Sequence, residues 1–328
     1  MSGRQVLRLM SIVSGLIFSL WTPFAHAQGA WPTKPLRLVV PFTPGGVTDT
    51  SGRVIAEALG KRLGQQVVVE NKPGASGNIG TQIVASSAAD GYTLLLGFDG
   101  TLVINPHVFA KVPFDTLKDF TAIGKIGDAM LIVVAHPSVP ARTLQEVIAL
   151  SKKESAGLSY GTSGTGGTPH IAGELLRQRT GANLQHVPYK GGGQALTDVI
   201  GGSIPLVYTA VAGAQAHVKG GKLKGIAVSS ATRASSLPDV PTFAESGLAD
   251  FNVSSWVGLL APARTPPAII ARLNSELNAV LSDPAVREHL SVLGIDPTPV
   301  TPDQFQEEIR RDLSRYGAVV RAAGIKAE

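Results

Sequence analysis

The sequence predicts an α/β protein of two units, each a mostly parallel sheet flanked by helices, with a ligand cleft between the units. Short apolar runs typical of buried strands alternate with amphipathic segments typical of helices, and this alternation starts again near Met130. Three glycine-rich segments stand where a strand passes into a helix. Open sheets bind ligands at the carboxyl ends of their strands, so the three segments are expected to meet at one cleft.

The first unit is predicted from three strands separated by two helices. Leu36–Val40 is an apolar run closed by Pro41, and the segment that follows places Val54 and Leu59 on one helical face. The predicted elements are Leu36–Val40, Thr50–Leu63, Gln66–Glu70, Ile79–Ala88 and Tyr92–Leu96.

The second unit repeats the alternation, and two long helices close the chain. Its predicted elements are Met130–Ala135, Leu144–Lys153, Leu158–Gly161, Pro169–Gln178, His186–Tyr189, Gln194–Ile200, Pro205–Thr209 and Gly225–Ser229. A further strand is expected over Val257–Leu260, followed by helices over Pro267–Leu281 and Pro302–Ala323.

The first 27 residues are predicted to be a secretory signal peptide. Arg4 and Arg8 precede the apolar run Leu9–Leu20, and Ala25-His26-Ala27 has the small-x-small pattern of a cleavage site. An uncleaved anchor is the alternative, but the run is short and Pro23 follows it. The chain contains no cysteine, which excludes an N-terminal lipid anchor and disulfides. We therefore expect a free protein in the periplasm that begins near Gln28.

Composition and motifs exclude several function classes. The formal charge of +5 falls to about +3 without Arg4 and Arg8, and aromatic residues make up only 5%, which disfavours a nucleic-acid partner. No Gly-Lys pair is followed by Ser or Thr, so no nucleotide P-loop is present, and no G-x-G-x-x-G fingerprint occurs in the glycine loops. Scattered histidines disfavour a metal site. We expect no cofactor and no metal.

The first glycine-rich segment runs from Pro41 to Asp49. Gly45, Gly46, Val47 and Thr48 are expected to offer consecutive N–H groups, with Phe42 as a wall. Asp49 has two open roles, as the N-cap of the following helix or as a ligand contact.

The second segment, Tyr160–His170, carries more hydroxyl groups than a helix start needs. Thr168 is predicted to be an N-cap before Pro169, and Ser163 is one of several side chains able to surround an oxyanion. His170 is expected to be neutral and to pack or donate a hydrogen bond, because a helix N-terminus lowers the pKa of an imidazole.

The third segment supplies N–H groups from Gly191, Gly192 and Gly193 after Tyr189. Lys190 has two open roles, as a point charge toward a second carboxylate of the ligand and as a solvated loop lysine. Three such loops with little catalytic equipment indicate capture of a small carboxylate. The enzyme alternative is a secreted hydrolase that uses Ser163, whose surroundings come near a nucleophile elbow but lack its last glycine.

Several motifs in order resemble the substrate-binding receptors of tripartite tricarboxylate transporters, also called Bug proteins, over essentially the whole mature chain. The matching segments are Pro35–Phe42, Gly45–Gly46, Val67–Ala75, Gly77–Gly80, Asp90–Leu95, His186–Gly192 and Leu237–Thr242.

The resemblance implies a monomeric, type II-like periplasmic binding protein that delivers its ligand to a membrane permease of one large and one small subunit. It implies a first domain over residues 28–131 and 255–328 and a second over 132–254. A sensor that presents the ligand to a membrane kinase is the third alternative. The family pattern nominates ligand contacts at Phe42, Gly45, Gly46, Val47, Thr48, Asp49, Ser163, Thr168, His170, Tyr189, Lys190, Gly191 and Gly192.

Two positions depart from the family pattern. Thr209 follows Tyr208 where family members often carry an acid, which indicates a ligand without an amino group, such as a di- or tricarboxylate or an aromatic acid. Phe98 stands where small hydroxyl residues are common, so its ring is expected to narrow the pocket and to favour aromatic acids.

Overall fold

Two β-sheets organise the chain in the computed structural model, which describes residues 31–45, 47–189, 192–249, 251, 253 and 255–326. The predicted signal peptide lies outside these residues. The strands β1 to β11 are Leu36–Val40, Val67–Asn71, Thr93–Phe98, Phe120–Ala129, Leu131–Ala135, Leu158–Thr162, Leu184–Pro188, Leu206–Ala210, Lys224–Val228, Ser255–Pro262 and Ile295–Pro297.

Helices follow most of the strands and flank the sheets. The helices α1 to α10 are Val47–Leu63, Asn78–Ala85, Asn105–Val108, Leu144–Lys153, Thr168–Thr180, Gly192–Ile200, Val211–Lys219, Pro267–Leu281, Pro284–Val292 and Pro302–Ala323. A 3₁₀ turn over Ala75–Gly77 precedes α2, and a π-helical turn over Gly100–Ile104 precedes α3.

Both sheets are mixed rather than mostly parallel. The first has the order β11-β4-β10-β3-β1-β2 and the second the order β7-β6-β8-β5-β9. Parallel pairing holds around β1 and β6, where the predicted strand-helix-strand units lie. Strands β4, β5 and β10 form antiparallel pairs, because the chain passes between the sheets along them. The predicted α/β architecture is confirmed with this correction.

The chain passes from the first sheet to the second at Met130, the single residue between β4 and β5, and returns through β10. Strand β4 was not predicted, because Lys125 and two glycines interrupt its apolar pattern. Lys125 is nevertheless buried, and its Nζ lies 2.7 Å from carboxylate oxygens of both Asp128 and Glu308. These partners hold the pKa of Lys125 above its ordinary value although burial lowers it, so the charge is tolerated in the strand.

One hydrophobic core cluster reaches from the first sheet to the second. It includes Val39 and Leu95 of the first sheet, Leu131 and Leu206 of the second, and Trp256 on the return strand. The Trp256 ring is fully buried, packs edge to face on Phe305 and donates to Asp312 Oδ2 at 3.1 Å. Trp256 therefore fills the core and does not line a ligand cleft.

Replacing Gly258 in β10 with alanine is expected to destabilise the fold, because the added Cβ would lie 2.3 Å from the buried Phe305 ring. Overpacking of this kind typically costs about 1–3 kcal/mol in the free energy of unfolding, measured by urea denaturation. The control is Gly193→Ala in α6, where nothing lies within 4 Å of the added Cβ. Equal unfolding midpoints for the two variants would contradict the packing described for β10.

Candidate functional site

A cleft of about 220 Å³ opens where loops of the two sheets face each other. Loops after β1 and β3 and the turns before α2 and α3 form one side, and the loop between β6 and α5 forms the other. The lining residues are Phe42, Ser76, Phe98, Gly100, Thr101, Asn105, Val108, Phe109, Ser163, Gly164, Thr165, Gly166 and Gly167. Three residues nominated from the sequence, Phe42, Phe98 and Ser163, are thus brought together.

The loop Ser163–Gly167 has a backbone conformation that depends on glycine. Gly164 and Gly166 have φ of 141° and 77°, a region that other residues rarely adopt. The N–H of Gly164 donates to Thr162 Oγ1 and that of Gly166 to His170 Nδ1. The N–H groups of Ser163, Thr165 and Gly167 have no acceptor within the part of the chain that the structure describes. This loop therefore forms one side of the cleft, and it carries unused backbone N–H donors next to the N-terminus of α5.

Thr168 is not the N-cap that its position before Pro169 predicts. Helix α5 begins at Thr168 itself, and Gly167 occupies the cap position without a side-chain hydrogen bond. The Thr168 hydroxyl instead donates to Asp99 Oδ2 at 2.8 Å. The local cap signal was outweighed by a partner 69 residues away.

Asp99 is fully buried and joins three segments of the fold. It follows β3, accepts from Thr168 at the start of α5, and accepts at Oδ1 from Ser255 of β10 at 2.6 Å. Burial raises the pKa of Asp99 to about 7, and hydrogen bonds from Ser255, Thr168 and the Gly100 backbone oppose this shift. Asp99 was not nominated from the sequence, although its neighbour Phe98 was.

His170 is not among the residues that line the cleft, and it holds the loop in place through a hydrogen bond. Its Nδ1 accepts from the Gly166 N–H at 3.0 Å, so the ring is neutral with its proton on Nε2. Burial lowers its pKa, and its ring stacks on His186 at 3.6 Å between centroids. Burial and then the neighbouring His170 lower the pKa of His186 to about 3. The sequence-based expectation of a neutral His170 agrees with these contacts.

The geometry gives no support to a hydrolase that uses Ser163. Ser163 is exposed and lines the cleft, but no histidine nitrogen among the described residues hydrogen-bonds its hydroxyl. His170 Nδ1 is taken by Gly166, and His186 Nε2 lies 2.7 Å from Thr162 Oγ1. A serine nucleophile needs a base within hydrogen-bond reach, and the nearest candidates are engaged elsewhere.

The first glycine loop is shorter than predicted, because α1 begins at Val47 and not at Thr50. Val47, Thr48 and Asp49 therefore lie in its first turn, and Asp49 is not an N-cap. The buried Asp49 carboxylate accepts from the Gly45 N–H at 2.9 Å and from the side chains of Arg53 and Asn71. Burial alone raises the pKa of Asp49, but these bonds outweigh it and hold the pKa below its ordinary value.

The lining of the cleft includes Phe42 from this loop but not Gly45, Val47, Thr48 or Asp49. Gly46 lies outside the described residues.

The third loop lies beside the second. A Cβ placed on Gly164 would be 3.6 Å from the Tyr189 carbonyl oxygen, and one placed on Gly192 would be 4.0 Å from Ser163 Cβ and 3.3 Å from Thr209 Oγ1. The Tyr189 hydroxyl donates to Asp198 at 2.8 Å, and Thr209 is buried. Lys190 and Gly191 lie outside the described residues.

Residues that the sequence did not single out form the polar floor of the cleft. Ala75 and Ser76 both have left-handed φ values, 47° and 53°. Such values cost about 1–2 kcal/mol per residue that is not glycine. The Ser76 carbonyl accepts from Thr101 Oγ1 at 2.9 Å and from Asn105 Nδ2 at 3.0 Å, which holds the turn. The signal available in the sequence was Pro73-Gly74 before Ser76 and Gly77, which indicates a turn.

Two sheets joined by crossover strands, with a loop-lined cleft between them, define a solute-binding receptor of the periplasmic-binding-protein fold. The family model described as "Tripartite tricarboxylate transporter family receptor" matches residues 52–325. The chain belongs to this family. It is 35% identical to Protein BugT of Bordetella pertussis over 320 residues, 97% of this chain and 98% of that protein.

Solved structures of similar proteins include two with bound ligands. One is R. palustris Rpa4515 with adipate, with a TM-score of 0.77 and 33% identity over 90% of this chain and 99% of that chain. Another is MatC (Rpa3494) from Rhodopseudomonas palustris with bound malate, with a TM-score of 0.73 and 31% identity over 88% and 100% of the chains. The family is one of receptors, so the chain is a receptor and not an enzyme. Across the residues that the structure describes, no helix is long and apolar enough to span a membrane.

The buried Asp99 carboxyl is expected to lower the free energy of unfolding as the pH rises from 5 to 8. The folded protein keeps the Asp99 proton up to about pH 7, whereas the unfolded chain releases it near 3.8. Between these values the folded state binds more protons, so raising the pH from 5 to 8 should lower the free energy of unfolding by about 2 kcal/mol relative to Asp99→Asn. Urea unfolding of both proteins at several pH values measures this difference.

The matched control is Asp49→Asn, because the pKa of Asp49 is lowered and its contribution is lost only as the pH falls below about 4. Its difference from the unsubstituted protein should stay flat between pH 5 and 8. Parallel curves for the Asp99→Asn variant and the unsubstituted protein would contradict the role given to the buried Asp99 carboxyl.

Proposed function

We propose that the protein captures a small carboxylate in the cleft between its two sheets. The observation that carries this proposal is the loop Ser163–Gly167, whose residues line the cleft and whose backbone N–H groups at Ser163, Thr165 and Gly167 are unused in the described structure. Helix α5 begins directly after this loop, so the positive end of its dipole adds attraction for an anion.

The binding free energy expected from these N–H donors is compatible with the affinity of a receptor. A hydrogen bond to a charged group contributes about 1.5–3 kcal/mol, so three N–H donors supply roughly 5–9 kcal/mol. Micromolar affinity requires roughly 8 kcal/mol. The backbone donors therefore account for much of the binding free energy, and the remaining contacts of the cleft decide which carboxylate is preferred.

The relatives support a carboxylate ligand. The two similar structures described above hold adipate and malate, both of which carry carboxylates. For this chain the proposed classes are a di- or tricarboxylate and an aromatic acid, in each case without an amino group. Thr209 offers no negative charge to an ammonium, and no acidic side chain is among the described residues that line the cleft.

Capture is proposed to involve closure of two domains, with residues 28–131 and 255–328 in one domain and 132–254 in the other. The passage from β4 to β5 at Met130 and the return through β10 support hinges near these boundaries. Delivery to a two-subunit membrane permease is proposed from the family to which the chain belongs.

Export to the periplasm is proposed from the first 27 residues. Cleavage after Ala27 should give a mature chain that begins at Gln28, and intact mass spectrometry of the periplasmic fraction measures it. An exported chain that retains Arg4 and Arg8 would contradict the proposed signal peptide.

Gly166→Ala is expected to weaken carboxylate binding. The added Cβ at φ 77° strains the loop and lies 3.1 Å from Val108, so we expect the loop to shift and its N–H groups to lose their present arrangement. Loss of one bond to a charged group corresponds to about a tenfold or greater rise in Kd. Isothermal titration with adipate, malate, succinate, aspartate and benzoate measures the affinities.

The matched control is Gly221→Ala, which carries the same strain at φ 68° but has open space around the added Cβ and lies outside the cleft lining. Its affinities should be unchanged. Absence of binding to every carboxylate tested would overturn the proposed function. Tighter binding of aspartate than of succinate would overturn the expectation of a ligand without an amino group.

A further inference from the structure

Three phenylalanine rings border the cleft and are only partly buried. Phe42 and Phe98 meet edge to face, with 5.5 Å between centroids and 85° between planes, and Phe109 lies on the same lining. Other phenylalanines, such as Phe243, Phe251 and Phe305, are fully buried in the core. The large hydrophobic side chains that are well exposed elsewhere in the described structure are aliphatic: Val47, Val68, Ile79, Leu117 and Val292. The phenylalanine side chains that are not buried in the described structure are thus gathered at the cleft.

The cleft combines this aromatic side with a polar side. Phe42 and Phe98 come from the loops after β1 and β3, whereas the unused N–H groups come from the loop before α5. A ligand with a carboxylate at one end and a ring at the other satisfies both sides at once. Aromatic pairs prefer offset or edge-to-face contacts at 4.5–7 Å, the arrangement that Phe42 and Phe98 already adopt.

The charges of the described lining residues favour one carboxylate over two. The described lining residues are apolar, hydroxyl-bearing, amide-bearing or glycine, and none of them carries a positive charge. Asp99 stands between two lining residues, Phe98 and Gly100, and accepts from Thr168 at the end of the anion-binding loop. Within the described lining, a second carboxylate on the ligand would lose water without gaining a cation, and it would add to the negative charge that Asp99 carries when ionised.

The size of the cleft limits the ligand to a small molecule. Its volume of about 220 Å³ is below the range of about 300–1,000 Å³ that is typical of pockets for drug-sized ligands.

We propose that the preferred ligand of this cleft is a monocarboxylic acid with one aromatic ring, its carboxylate on the loop Ser163–Gly167 and its ring against Phe42, Phe98 and Phe109. This inference rests on the proposed function, because it names the substrate class of the same site. It assigns to Phe42 and Phe98 the role of selecting the ligand.

The test is isothermal titration of the mature protein with benzoate, cyclohexanecarboxylate, adipate and malate. Cyclohexanecarboxylate matches benzoate in charge and approximate size but lacks an aromatic ring. Benzoate should bind more tightly than each of the other three acids. Adipate or malate binding more tightly than benzoate would overturn the inference and leave the carboxylate receptor standing, whereas no binding to any of the acids would overturn the proposed function itself.

The variants Phe98→Leu and Phe42→Leu remove the ring and keep an apolar side chain. Loss of an aromatic contact should weaken benzoate binding about 2- to 12-fold, the equivalent of 0.5–1.5 kcal/mol, and should change cyclohexanecarboxylate binding less. The matched control is Phe114→Leu, in an aromatic pair with Phe120 that is not part of the cleft lining. Its benzoate affinity should be unchanged. Equal losses for benzoate and cyclohexanecarboxylate in the Phe98→Leu variant would overturn the selecting role of the ring.

Discussion

The buried carboxyl of Asp99 is the interaction on which the arrangement of the cleft depends. It holds the end of β3, the start of α5 and the return strand β10 together through two short hydrogen bonds, from Thr168 and Ser255. Phe98 and Gly100, on either side of Asp99, line the cleft, and Thr168 directly follows the loop Ser163–Gly167. One buried side chain therefore ties the side of the cleft that carries Phe98 to the side that carries the loop Ser163–Gly167. Because that carboxyl has only neutral donors, its burial disfavours the charged form, and its protonation is coupled to the stability of the fold.

The remaining constraints on the cleft are local and reinforce this one. His170 Nδ1 accepts a hydrogen bond from the Gly166 N–H and so holds this part of the loop. The His170 ring is itself held by stacking on His186. Across the cleft, Thr101 and Asn105 hold the strained turn at Ser76, and Asn105 also donates to Asn78. Residues that are held in costly backbone conformations by several partners are typical of binding sites, where the surrounding structure supplies the free energy. Both sides of the cleft are thus formed in advance of the ligand, which lowers the entropy lost on binding.

Much of this fold could be predicted from the sequence, and the parts that could not depend on distant partners. Strands β1 and β3 are recognisable as apolar runs, and the glycine-rich loops mark the carboxyl ends of β1, β6 and β7. Strand β4 carries Lys125 in its centre, and only the neighbouring Asp128 and the distant Glu308 make that lysine compatible with burial. Thr168 before Pro169 has the local pattern of a helix N-cap. Its actual partner, Asp99, is 69 residues away in the sequence, so the local pattern could not reveal it. Phe42, Phe98 and Ser163 were identified from loop position and family pattern, whereas Ser76 and Asn105 meet in the cleft through a turn whose strain is visible only in three dimensions.

The two sides of the cleft contribute different kinds of recognition. In the proposed binding mode, backbone N–H groups bind the two oxygens of a carboxylate. Those oxygens are the same in every carboxylic acid, so the loop Ser163–Gly167 would attract the whole class without distinguishing its members. The side chains on the other side contact the rest of the molecule, where acids differ. The rings of Phe42 and Phe98 are only partly buried, so replacing them removes fewer core contacts than replacing a fully buried ring such as Phe305. The loop, by contrast, is tied to Asp99 and His170 and tolerates little change. In a receptor built in this way, substitutions in the loops after β1 and β3 can alter which acid is preferred. The loop proposed to bind the carboxylate, and the fold that supports this loop, can then stay unchanged.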